Sequence, residues 1–103
     1  SGNVTAYSDE RLKKDWAPLA DAFIPRLAAV KMGSFTRTDT GGRYVGVSAQ
    51  SLEELLPEAV VTSDNGLKSV AYGNAALAAC VELARRVIAL TVELAQLKAD
   101  LKE

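Results

Sequence analysis

Between Asn74 and Lys102 the apolar residues return every three and then four positions. Ala76, Leu83, Leu90 and Leu97 fall at one place of a seven-residue cycle and Cys80, Val87, Leu94 and Leu101 at another. That period keeps a narrow apolar seam in line along a helix, the pattern of a helix that packs on partner helices. The run holds neither glycine nor proline and is rich in Ala, Leu, Glu, Lys and Arg, so it predicts one helix over about 74–102, roughly 40 Å long, with Asn74 as its cap. A second apolar set, Leu77, Val81, Ala84 and Ile88, widens the apolar face in the first half, as expected where the helix also packs on its own domain. A helix of this length outruns what the residues before it can cover, and the seam persists to Leu101, so the pattern predicts self-association. Glu93 and Lys98 are spaced for an interhelical pair between parallel strands, while leucine at both seam positions leaves the number of strands open.

The preceding residues alternate in short pieces. Asn3 to Tyr7 is β-prone and predicts a strand or extended lead-in. Leu19, Phe23, Leu27 and Val30 recur at helical spacing and predict a helix over about 19–30; Pro25 requires either that it begin near Ile24 or that it kink. Trp16 and Phe23 are expected as core anchors. Lys31 to Arg37 and Arg43 to Ser48 are β-prone runs around Thr38-Asp39-Thr40-Gly41-Gly42, which predicts a hairpin; no phosphate-binding glycine fingerprint accompanies it. Ala49 to Leu56 predicts a short helix capped by Ser48, ended by Pro57, with Leu52, Leu55 and Leu56 on one side. The acids Glu53, Glu54 and Glu58 are expected on its wet face. A second hairpin is predicted around Asn65-Gly66, with strands at 60–62 and 67–70. The fold class is therefore α+β, with a short N-terminal helix and small hairpins packed on a long C-terminal helix.

Charge and composition narrow the function. Twelve basic residues against 13 acidic ones, with no basic block and few aromatics, give no phosphate-binding footprint, so nucleic acid is not an expected partner. No apolar run reaches the length of a membrane-spanning helix and the first residues carry no signal-peptide pattern, so no membrane is expected. Cys80 is the single cysteine, which excludes an intrachain disulfide or a cysteine-based zinc cluster and predicts a buried reduced thiol facing its copies along the seam. No metal site or cofactor is expected.

Candidate chemistry lies at Ser8-Asp9-Glu10-Arg11-Leu12-Lys13. A serine hydroxyl is a weak nucleophile at neutral pH, and this chain has no histidine to activate it; an uncharged lysine amine serves the same purpose. Five residues along a helix turn by about 140°, and an extended link of that length spans roughly 17 Å, so neither regular structure brings Lys13 to Ser8. A working pair needs a sharp turn or a lysine from another copy. The plainer reading makes Ser8 or Asp9 a helix cap followed by exposed charges.

Three stretches in order resemble one family. Ser8-Asp9-Glu10-Arg11-Leu12-Lys13-Lys14-Asp15, Gly46-Val47-Ser48-Ala49-Gln50 with Leu52 and Leu56-Pro57-Glu58, and Val70-Ala71-Tyr72 leading into Ala76, Leu77, Glu82 and Leu83 resemble the C-terminal intramolecular chaperone and auto-processing domain of bacteriophage tailspikes, tail fibres and endosialidases. The resemblance runs from Ser8 to the end. It implies a homotrimer joined as a parallel coiled coil, which folds an upstream β-rich stalk of the same polypeptide and then releases itself. It also implies Ser8 as nucleophile, Lys13 as base and Tyr7–Ser8 as the scissile bond, with 1–7 a stalk remnant, 8–103 the processing domain and Lys14 a decoy. Asp9 and Arg11 are possible supporting residues, Arg11 as the positive neighbour that helps Lys13 shed its proton, a task that trimer closure would share by excluding water. A backbone N–H, Asn74 or Gln50 are equal candidates for holding the oxyanion. The implied setting is the host bacterial cytoplasm during virion assembly. A non-catalytic trimerisation tip is the competing reading, and a similar domain releases a membrane-anchored eukaryotic transcription factor.

Overall fold

Pro25 sets where the first helix starts. Its ring occupies the hydrogen-bonding position of an amide, which is harmless only in the first helical turn, where amides have no intrahelical acceptor. In the computed structural model, which describes residues 5–102, α1 accordingly spans Phe23–Ala28, with Pro25 as its third residue. Ala22 just before it has φ 54°, a left-handed conformation that breaks the spiral, so the helix expected from Leu19 is confined to these six residues.

The remaining elements follow the turn chemistry. Strands β1 (Met32–Thr36) and β2 (Arg43–Val47) form an antiparallel hairpin in the register Met32 to Val47 and Thr36 to Arg43. In the loop, the Asp39 carboxylate accepts from the Thr40 N–H at 2.8 Å and from Arg37 Nε at 2.9 Å. Helix α2 (Ala49–Glu53) begins at Ser48, whose hydroxyl accepts from the Ser51 N–H at 3.1 Å. Strands β3 (Val60–Thr62) and β4 (Lys68–Val70) pair antiparallel through the Asn65–Gly66 turn, where Gly66 takes φ 84°. Helix α3 (Tyr72–Leu101) closes the chain.

Asn74 is not its cap. The helix starts two residues earlier, at Tyr72, because Ala71 is held by an N–H bond to the Ala59 carbonyl at 2.8 Å and hands β4 directly into the first turn. The described part of the expected lead-in, Thr5 to Tyr7, joins no strand; its first two residues, Asn3 and Val4, lie outside the described residues.

The core is small: Phe23, Leu52, Leu55, Leu56 and Ala59 are buried, with Leu19, Leu27, Val30, Val47 and Val70 packed around them. Phe23 supplies the anchor expected of it. Trp16 does not; it is 71 % exposed, because it sits on an irregular segment outside α1 rather than on a helical face. Long-range hydrogen bonds lock the pieces together: Arg26 Nη2 donates to the Glu54 carbonyl at 3.0 Å and the Lys31 N–H to Ser51 Oγ at 3.0 Å. Of the three acids near α2, Glu53 pairs with Lys68 at 3.0 Å, and Glu54 and Glu58 stay exposed.

Helix α3 packs on this globule through Ala75 and Ala79, with Ala78 and Glu82 half-buried beside them. That is not the stripe expected. Leu77, Val81 and Ile88 are 68 %, 42 % and 64 % exposed, since the globule lies against the alanine side, where small residues allow close approach. Beyond Glu82 every described helical residue is exposed, the seam residues Leu83, Val87, Leu90, Leu94, Leu97 and Leu101 among them. The radius of gyration, 18.2 Å, exceeds the value of about 13 Å for a compact chain of this length because the helix projects away from the globule.

Candidate active site

Asp9 builds the turn that the dyad spacing demands. Its carboxylate accepts from the Arg11 N–H at 2.9 Å and caps a single 3-10 turn at Glu10–Leu12, closed by the Leu12 N–H on the Asp9 carbonyl at 3.1 Å and the Lys13 N–H on the Glu10 carbonyl at 3.0 Å. One turn reverses the chain, and Lys13 then leaves it in extended conformation. Lys13 Nζ consequently lies 2.5 Å from Ser8 Oγ, inside one chain. The cap and the pair are therefore parts of one arrangement: the cap makes the turn, and the turn makes the pair.

The flanking charges are engaged with one another. Arg11 Nε and Nη2 reach the two Asp9 carboxylate oxygens at 3.1 Å and 2.8 Å. The Arg11 guanidinium, then its backbone N–H, hold the Asp9 carboxyl below the usual carboxylate range, and Asp9 holds Arg11 above its own. The Arg11 charge is balanced at home, so its place in this site is to brace Asp9 and the turn. Arg11, expected as a positive neighbour of Lys13, is paired with Asp9 at 2.8 Å.

Trp16, expected in the core, lies beside the amine instead: Lys13 Nζ is 5.7 Å from the centre of its ring. A cation over an aromatic face is stabilised by the ring quadrupole, which positions the lysine side chain. The cue available in the sequence was a tryptophan three residues beyond a lysine, with no helical pattern to carry it inward. The amine at Ser8 Oγ is that of Lys13; the neighbouring Lys14 is exposed.

An open groove of about 640 Å³ adjoins the amine, between the Lys13–Ala20 segment, the Leu55–Ala59 turn and the start of α3. Asn74 lines it together with Lys13. Gln50 instead lines a different groove, beside the first hairpin. The two side-chain candidates for the oxyanion are thus separated by the fold, and Asn74 is the one that lines the same groove as Lys13. The groove borders α3 at Asn74, Ala75 and Ala78, none of which belongs to the seam.

Tyr7, at the expected scissile bond, is fully exposed. Ser8 and Lys13 are exposed as well in the single chain. Among the described residues no three His, Cys, Asp or Glu side chains gather closely enough to hold a metal ion. Cys80 is exposed on α3, on the seam. No helix among the described residues is long and apolar enough to cross a membrane.

Residues 8–61, just over half of the chain, match the model of a peptidase family described as the chaperone of endosialidase. The match begins at Ser8 and ends in β3, so it covers the turn, α1, the first hairpin and α2. No curated protein and no solved structure matches the chain.

Proposed function

The chain belongs to the chaperone-of-endosialidase family, and from that membership we propose that it is a self-cleaving intramolecular chaperone, trimeric in its working form, that folds the stalk of a phage tail fibre or tailspike preceding it. The observation that supports the cleavage reading is the 2.5 Å separation of Lys13 Nζ and Ser8 Oγ. The exposed seam of α3 supports self-association, and the family resemblance supplies the number three.

The proposed reaction has two stages. Lys13 in its uncharged form accepts the Ser8 hydroxyl proton as Oγ attacks the carbonyl carbon of Tyr7. The bond from that carbon to the Ser8 nitrogen breaks, the nitrogen receives the proton from Lys13, and the Tyr7 acyl group rests as an ester on Ser8 Oγ. Water then hydrolyses the ester, restoring the hydroxyl and leaving Tyr7 as a new C-terminal carboxylate. Nucleophile and target carbonyl are adjacent in the chain, so the reaction needs no substrate pocket, and its rate comes from orientation. Asp9 and Arg11 act by holding the turn, and Asn74 is the favoured side chain for the oxyanion.

Ser8 and Lys13 both face solvent in the single chain. The groove meets α3 at Asn74, Ala75 and Ala78, outside the seam, so closing the seam alone does not cover it. The upstream stalk and the neighbouring globules supply the cover, and cleavage thereby follows correct assembly.

A clamp of this kind answers a folding problem. Intertwined β-stalks depend on distant contacts and slip register readily, whereas a helical bundle forms from local contacts and pins three chains together first. After release, the stalk is held by its own slow unfolding. The setting proposed is the host cytoplasm during virion assembly.

Mass measurement on a precursor that carries the upstream stalk tests the reading. Loss of everything from Ser8 onward, abolished by Ser8→Ala and by Lys13→Ala, is expected. An intact wild-type precursor with a folded trimeric tip would instead make this a non-catalytic trimerisation module.

A further inference from the structure

Beside the seam, at the top of α3, the structure has an apolar groove of about 450 Å³ walled by Leu27, Val30, Met32, Val70, Tyr72 and Ala76. Ala76 belongs to the seam itself, so the groove is continuous with it. On the other flank of the same helix, Leu77 is 68 % exposed.

The heptad relates these two features. With Cys80, Val87, Leu94 and Leu101 at position a and Ala76, Leu83, Leu90 and Leu97 at d, Tyr72 and Glu93 stand at g, and Leu77 and Lys98 at e. In a parallel coiled coil, a g residue of one helix meets the e residue five places further along its neighbour. Glu93 then faces Lys98 of the next copy, an opposite-charge pair that favours this register. The same register brings Leu77 of that copy against Tyr72, which is a wall of the groove. Each flank supplies what the other lacks.

We infer that the groove of each copy receives the Leu77 side chain of the neighbouring copy, so that the globule of one chain is strapped to the helix of the next around the three-fold assembly. This rests on the parallel trimer proposed above and adds to it a contact outside the seam. Because the contact is head-to-tail, it closes only when all three copies are in register, and it fixes each globule against the helical clamp.

The test uses Met32→Cys and Leu77→Cys variants, each in a Cys80→Ser background, unfolded, mixed, refolded together and mildly oxidised. A disulfide between the two different chains is expected to dominate over either self-pair, in particles whose light-scattering mass is that of a trimer. A trimer lacking the mixed crosslink overturns the docking while leaving the trimer intact; a monomeric or dimeric mass overturns both. As a second measurement, Leu77→Lys should weaken trimer association roughly tenfold or more, the scale of one leucine burial. Val92→Lys, at an outward f position that is 64 % exposed, should leave it unchanged. Equal effects of the two substitutions overturn the inference.

Discussion

The phenol oxygen of Tyr72 lies 2.6 Å from the point where a Cβ on Gly46 would stand, and it accepts a hydrogen bond from the Val47 N–H at 3.2 Å. The end of the first hairpin is thereby seated on the first residue of the long helix, and the lack of a side chain at position 46 is what lets the ring come so close. Two of the stretches by which this chain resembles its family, around Gly46 and around Tyr72, are one contact in space.

Gly46→Ala should therefore destabilise the fold by about 1–3 kcal/mol, the usual cost of an overpacked contact. Adding Tyr72→Phe should return part of that loss, because without the oxygen the nearest ring atom, Cζ, is 3.6 Å from the new methyl, an ordinary contact. Urea unfolding of the two variants measures this. A double variant no better than the single one would mean that the clash is elsewhere.

The two neighbouring lysines should behave differently. Lys13→Ala should slow precursor cleavage by about 10²-fold or more, the scale of a lost general base, and Lys14→Ala should leave it nearly unchanged. Both side chains are exposed in the single chain, so helicity should be retained in each variant. Time courses on denaturing gels, with circular dichroism alongside, provide the comparison; equal losses at the two positions would remove the reason for assigning Lys13 as base.

Acid should loosen the Asp9 turn only well below neutrality. The folded carboxyl is held below its ordinary value, chiefly by the Arg11 guanidinium. Its stabilising effect is thus fully present above the unfolded carboxylate pKa of about 3.9 and disappears as the pH falls through the lower folded value. An NMR titration of the Asp9 side-chain carbonyl should give a midpoint below that of a free aspartate, moving upward in Arg11→Ala. An identical midpoint in both proteins would separate Arg11 from the turn.

Cleavage should depend on assembly. Diluting the full-length precursor below the concentration at which it trimerises should slow release of the tip, because the dyad then stays open to water. Cleavage kinetics followed against sedimentation across a dilution series test the coupling, and a rate indifferent to oligomeric state would break it.

Much of this protein was settled by the order of its residues. Both hairpins, the Ser48 cap and the heptad seam of α3 are written in neighbours a few positions apart, and Asn65–Gly66 or a leucine every third and fourth residue acts within one turn or one helix. The same local logic showed that Ser8 and Lys13 need a sharp bend between them. Where that bend comes from, and what surrounds it, was left to the tertiary structure. Asp9 folds the chain back through a 3-10 turn, and Trp16 lies beside the amine instead of in the core. The globule meets α3 on its alanine side and leaves Leu77 in the open. A helix that is apolar on several faces does not say which face its own domain will cover. That choice belongs to distant segments such as Ala59, Gly46 and the Leu55–Leu56 core, whose hydrogen bonds and packing decide where the first turn of α3 is anchored.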